Sequence, residues 1–435
     1  MSIVRRAMRK LPSLSIFRHQ GYRHYWIARQ LIGAERQMVA IAIGWQIYDL
    51  ARLTRSIEES ALMLGLVGLT QFLPILFLSL PGGQAADRFD RKKILVWSNV
   101  IRFFVISALF AASFFEPHIA IPAIFFAAFM NGAVSSFTPA ASNSLYPTLV
   151  PRKELPEAIA WNSLGYQGAA VIGPAVGGFL FIGGAPVVYG AAAALTAIGV
   201  AMFATAKTPP HKPVENARGL SMIFDGLRYV RDNKLVLGSI SLDLLVVFFG
   251  GVTALLPVFA RDILHVGTEG LGLLRAAPAA GAAIVAFILA GNQISTKVGA
   301  WLLGSIGVYG LATVAFAFSE VFWLSLALLA VTGAADMISV FIRMSIIQHA
   351  TPDGMRGRVS AVSFIFIAAS NELGEFESGV AARFLGPIGA VLLGGFVALA
   401  AAVSWLWLFP KLARADRFED EAADAVDHGV KTAAQ

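Results

Sequence analysis

Long apolar runs alternate with short polar breaks along almost the whole chain. Twelve runs reach the roughly 20 residues a helix needs to cross a bilayer. They lie at about 22–50, 60–82, 94–115, 119–146, 159–182, 186–206, 236–258, 270–291, 299–318, 321–349, 359–383 and 386–409. Each is predicted to be a helix, because lipid cannot satisfy an open backbone. The first run is the most polar. Residues 1–21 lack the continuous apolar core and cleavage site of a signal peptide. The longest polar stretch, 207–235, has a Pro-rich start that reads as a linker. Within it, "GLSMIFDGLRYV" predicts a short amphipathic helix lying on the membrane surface. The chain thus divides into a basic segment (1–21), a six-helix bundle (22–206), a linker (207–235), a second six-helix bundle (236–409) and a tail (410–435). Weak internal similarity supports the two halves. "LVPRKELPEAIA" after the fourth run matches "HATPDGMRGRVSA" after the tenth, and Gly83 has a faint counterpart at Gly291. The fold class is an all-α membrane protein of two pseudo-symmetric bundles.

Composition agrees. Of 435 residues, 57% are hydrophobic and 14% charged, against about 25% charged in soluble proteins. Mean hydropathy is +0.69. There is no cysteine, and the seven histidines are scattered, so neither disulfides nor a metal site is expected. The net charge of +7 would suggest nucleic acid in a soluble protein, but here its placement matters more. With a cytoplasmic N-terminus, most of the 34 Lys and Arg fall on the cytoplasmic side, as the positive-inside bias requires. A multi-pass protein of the bacterial inner membrane with both termini cytoplasmic follows. The expected partners are a small-molecule substrate, protons and the bilayer. No cofactor, metal or nucleic acid is expected, and the protein is expected to be a monomer.

Between the second and third runs sits "GQAADRFDRKKIL" (83–95), with six charges in seven residues. This pattern resembles motif A of the major facilitator superfamily. "GPAVGG" (173–178) resembles the end of motif C, typical of the exporting antiporter branch. "SLDLLVVFFGGVTALLPVFARDIL" (241–264), "TPDGMRGRVSAV" (351–362) and "SNELGEFESG" (370–379) resemble the enterobactin-exporter-like efflux permeases. The resemblance covers nearly the whole chain. It departs at helix 4, where Ala128 and Asn131-Gly132 replace the antiporter pattern's arginine and Gln-Gly, and at Ala160 and Ala169, where motif C prefers glycine.

The resemblance implies a transporter working by alternating access. Asp87 would then be a cytoplasmic latch toward the N-terminus of helix 11, near Gly357-Arg358-Val359, with Arg88 and Arg91 holding it and neighbouring helix ends. Gly83 would permit close backbone approach. The bland alternative is a plain topology anchor. In the helix-5 motif, Pro174 can kink the helix, and Gly173, Gly177 and Gly178 offer a small-residue packing face.

Ionisable residues within membrane helices are costly and usually functional. Glu35 and Arg36 lie in the first run, Arg102 in the third and Asp243 in the seventh. Asp336 and Arg343 share a face of the tenth, and Glu372 and Glu375 a face of the eleventh. Asp243 has no evident local partner. Pairing of Glu35 with Arg36 or another arginine, and of Asp336 with Arg343, are the structural alternatives. Arg102 would reach toward the cytoplasmic surface. Helices 1, 4, 7 and 10 line the cavity in the superfamily, which marks Asp243, Glu35, Asp336 and Glu372 as proton-coupling candidates. Arg36, Gln37, Asn131, Phe137, Phe248 and Arg343 are candidates for the substrate cavity. Acids plus aromatics suit an amphipathic or cationic molecule.

Three readings result: a proton-driven exporter of small amphipathic compounds (drug, metabolite or siderophore); the same fold with another cargo or direction, such as a lysophospholipid flippase or nutrient importer; and a membrane enzyme or receptor. The third lacks any HExxH, GxSxG or Walker pattern.

Overall fold

In the computed structural model, residues 13–210, 219–292 and 294–418 are described. Among them, the first six spans are α1 (Gln20–Ala51), α2 (Ile57–Arg88), α3 (Arg91–Ala112), α4 (Pro117–Leu145), α5 (Leu155–Leu180) and α6 (Ala185–Thr205). The short α7 (Gly219–Asp232) lies where the amphipathic helix is predicted. Then follow α8 (Lys234–Phe249), α9 (Val252–Val258) running into a π-helical turn (Phe259–Ile263), α10 (Gly267–Gly291), α11 (Val298–Ala317), α12 (Phe322–Ala350) and α13 (Asp353–Leu408).

Among the described residues, ten segments are long and apolar enough to cross a membrane. The polar α1 falls outside that set, diluted by Arg29, Glu35, Arg36 and Asp49. α13 counts once, although Gly386, at φ 74°, breaks it into two limbs. Glycine tolerates that conformation, and Pro387 restarts the helix. With α1 and the extra limb added, the twelve predicted spans are all present.

Starts and stops follow local chemistry. Ser56 caps α2 by accepting from the Glu59 N–H at 3.2 Å, with Glu58 and Glu59 in the first turn. Asn233 caps α8, accepting from the N–H groups of Leu235 and Val236. Span 7 is interrupted at Gly250-Gly251, and the freed Gly250 carbonyl accepts from the Tyr309 hydroxyl at 3.1 Å.

The chain forms two compact units. One holds the described residues of 8–217 together with 254–276; the other holds those of 218–253 and 277–435. The first unit therefore contains α1–α6 plus the end of span 7 and the first turns of α10. Its core includes Tyr22, Tyr25, Ile32, Leu95, Ala141 and Phe203. In the second unit, one core gathers Leu242, Val246, Leu302, Ile306, Ile342 and Trp405. A smaller cluster (Val230, Val236, Ile240, Ile347, Val359, Val362) seats α7.

Candidate functional site

The charged knot at 83–93 is mostly a set of staples within the first unit. Asp90 caps α3, accepting from the backbone N–H of Lys92 at 2.9 Å and Lys93 at 3.4 Å. Arg91 donates to the carbonyls of Ala86, ending α2, and Ser144, near the end of α4. Lys92 donates to the Ala206 carbonyl at 2.8 Å, just past α6. Three helix ends are thus tied by cations, where unpaired carbonyls and the dipole favour them. Asp87 is half-buried and Arg88 exposed, and among the described residues Asp87 forms no ion pair. Gly83 does not play the close-approach part: nothing lies within 4 Å of where its Cβ would be. Its neighbour Gly82 does, against the Ser136 backbone of α4.

The helix-5 motif serves two neighbours. A Cβ on Gly173 would stand 2.6 Å from the Gln37 Cβ, and one on Gly177 would stand 2.8 Å from the Met38 Cα, both in α1. Gly178 turns instead to α10, where a Cβ would meet the Gly272 Cα at 2.8 Å. A Cβ on Gly272 would in turn meet the Pro174 carbonyl at 2.6 Å. Only hydrogen fits at these positions, so α5 lies close against both α1 and α10.

Opposite the knot, the C-terminal end of α1 meets the π-helical turn. The Tyr48 hydroxyl donates to Asp262. Arg52 lies 3.7 Å from the same carboxylate, and Arg261 pairs with Asp49 at 2.7 Å while lying over the Tyr48 ring. Sequence reasoning missed this cluster. Its signal was paired charges of both signs in "YDLAR" and "ARD", at ends otherwise poor in charge.

The intramembrane charges pair across helices. Glu35 of α1 (1% exposed) lies 3.5 Å from Arg102 of α3 (5% exposed). Arg102 therefore points inward to Glu35, not toward the cytoplasmic surface. Glu35 Oε2 and Arg102 Nε and Nη1 have no hydrogen-bond partner, so the pair is electrostatic without a formed bond. It lines a small cavity of about 20 Å³ with Val39, Ile106, Asn131 and Val134. In the second unit, Arg343 of α12 (3% exposed) abuts Asp243 of α8 (6% exposed). That overturns two expectations: Asp243 has a partner, and Arg343 does not pair with Asp336. The reason is that a neighbouring helix presents its acid closer than the seven-residue spacing along α12 does. Asp336 instead lies half-buried near Tyr309, with no ion pair among the described residues. Glu372 and Glu375 are half-buried in α13.

Of the cavity candidates, Arg36 is exposed, and Gln37 packs beside Gly173. Asn131 donates to the Gln71 side chain at 2.9 Å, joining α4 to α2. Phe137 is half-buried in α4. Phe248 sits edge-on to Phe249, with ring centroids 5.0 Å apart at the break in span 7. Among the described residues no cluster of His, Asp and Glu suits a metal.

Residues 12–432 match the family described as "Transmembrane secretion effector". The chain is 28% identical over 399 residues to the enterobactin exporter EntS of Citrobacter koseri, covering 91% of this chain and 89% of that one. It is 27% identical over 408 residues to that of Escherichia coli O1:K1, covering 93% and 95%. Its fold is similar to the D-xylose–proton symporter (TM-score 0.67, 13% identity, 89% and 97% covered). It is likewise similar to a bacterial homologue of the iron transporter ferroportin in its inward-facing state (TM-score 0.66, 18% identity, 93% and 100% covered). The chain belongs to the transmembrane secretion effector family of the major facilitator superfamily, as a multi-pass membrane transporter of small molecules and not an enzyme.

Proposed function

We propose that this protein is a proton-coupled exporter of small amphipathic organic compounds, a drug, metabolite or siderophore. It works by alternating access as a monomer in the bacterial inner membrane, with both termini cytoplasmic and no nucleic-acid partner. The observation that carries the reading is collinear likeness to enterobactin exporters over more than nine-tenths of the chain.

For coupling, Asp336 is the strongest candidate, because it is an intramembrane carboxylate without an ion pair among the described residues. Glu35 is the second, because it stands 3.5 Å from Arg102 beside a cavity large enough for a water. Asp243 is a weaker choice than its sequence setting implies, since Arg343 already neutralises it. Glu372 remains a fourth position for the relay. Asp87 acts as the latch of the outward-facing state, engaging the positive N-terminal end of α13 in that state alone. Arg91 fixes the helix ends around it.

The test is uptake of enterobactin into inside-out vesicles with and without an imposed pH gradient. Uptake should require the gradient, and Asp336→Asn should abolish the driven component while leaving downhill exchange. Gradient-independent uptake sinks the coupling, and movement only in the opposite direction favours an importer. Asp87→Asn should shift the inside/outside ratio by roughly five- to 150-fold. This is readable by labelling single cysteines in a chain that has none of its own. An unchanged ratio removes the latch.

A further inference from the structure

We infer that the cargo is an organic anion and that Arg36 is the cation that receives it. The inference rests on the transporter reading above and names the class of compound carried.

The first observation is where Arg36 lies. It sits near the middle of the 32-residue α1, and from residue 24 to residue 51 it is the single exposed residue of that helix. A lipid-facing helix looks different: α3 turns out Trp97, Ile101, Phe104 and Phe110. α1 has no such apolar stripe, because neighbouring helices enclose it. A guanidinium at mid-membrane depth that faced hydrocarbon would be costly. Its exposure therefore opens onto an internal, water-accessible space.

The second observation is charge. Glu35 is adjacent in sequence, but it points about 100° away around the helix and is neutralised by Arg102. Glu35, Arg36 and Arg102 together carry one net positive charge, and it resides on Arg36. Arg29 lies two turns earlier on the same face, half-buried, donating to the Tyr25 hydroxyl at 3.1 Å. Among the described residues, neither arginine forms an ion pair with an acid. This face of α1 thus presents two uncompensated cations and no anion. Two of the acids that suggested a cationic cargo are engaged in pairs, Glu35 with Arg102 and Asp243 with Arg343.

Chemistry narrows the ligand. A guanidinium offers a planar fork of donors that matches two oxygens on one group. The fitting cargo is a carboxylate, a sulfonate or an ionised phenol on an apolar body.

The test uses two probes of matched size and opposite charge, 1-naphthalenesulfonate and 1-naphthyltrimethylammonium, bound to the purified full-length protein in nanodiscs. The sulfonate should bind about ten-fold tighter, the scale of one charge-assisted hydrogen bond. Arg36→Gln should bring the two affinities to within about two-fold, while Arg36→Lys keeps most of the preference. Equal affinities, no measurable binding of either probe, a preference for the ammonium, or a preference unchanged in Arg36→Gln would each overturn the proposal. Because binding is read without a gradient, failure of proton coupling in vesicles leaves this result intact. Equally, a cation preference leaves the exporter reading standing.

Discussion

Each unit buries one acid against one arginine, and the two pairs are built differently. Asp243 and Arg343 touch, on α8 and α12, among Ile240, Leu244, Ser363, Phe366 and Ile367, with no room for a water. Glu35 and Arg102 stand 3.5 Å apart beside a cavity of about 20 Å³, room enough for one water. Both pairs are almost wholly removed from solvent. A touching pair behaves as a structural rivet. A loose pair beside empty space is a contact that a proton or a water can open without rebuilding the helices around it.

The largest effect should come from breaking the tight pair on one side only. Asp243→Ala strands a buried guanidinium and should cost about 3–5 kcal/mol, read by reversible unfolding in mixed micelles. Glu35→Gln should cost less, about 1–2 kcal/mol, because its carboxylate stands 3.5 Å from the arginine beside a cavity where a water can take its place. If it costs as much as Asp243→Ala, the two pairs are equivalent and the contrast fails. Removing both charges of the tight pair, as Asp243→Leu with Arg343→Leu, should return stability to within about 1 kcal/mol of the parent, since buried pairs are often replaceable by apolar side chains. A persistent deficit would show that the pair does more than neutralise itself. The smallest effect belongs to the more exposed pair at the end of α1. Asp49→Asn should change stability by about 0.2–1 kcal/mol, and the difference should fade at high salt, as it should not for the buried pairs.

The spans were legible because hydropathy over some 20 residues is a one-dimensional signal. So was α7, whose amphipathic pattern is contained in twelve residues. Pairing was not legible, because it depends on which helices become neighbours. Glu35 and Arg102 lie in different spans, and nothing in either marks the other. Asp336 and Arg343 share a face, a true statement about α12 that still gave the wrong partner. The motif at 83–95 was recognisable as a unit, but the division of labour inside it was not. Asp90 and Lys92 turned out to serve helix ends, which a sequence shows only as nearby charges. The break at Gly250-Gly251 hid inside an apolar run, because a glycine pair there reads equally well as packing.

That break has a mechanical consequence. The polypeptide leaves one compact unit for the other between residues 253 and 254 and returns between 276 and 277. The outgoing passage lies three residues beyond Gly250-Gly251, and the return lies beside Pro278, inside α10. Each crossing thus coincides with a place where the regular ladder of backbone hydrogen bonds is already weakened. An intact helix passing between two bodies would act as a stiff strut and resist any turn of one against the other. A helix bends most readily at such points, because few backbone hydrogen bonds have to be broken there. Restoring the ladder beside the return passage with Pro278→Ala should slow conformational exchange without touching a single charge.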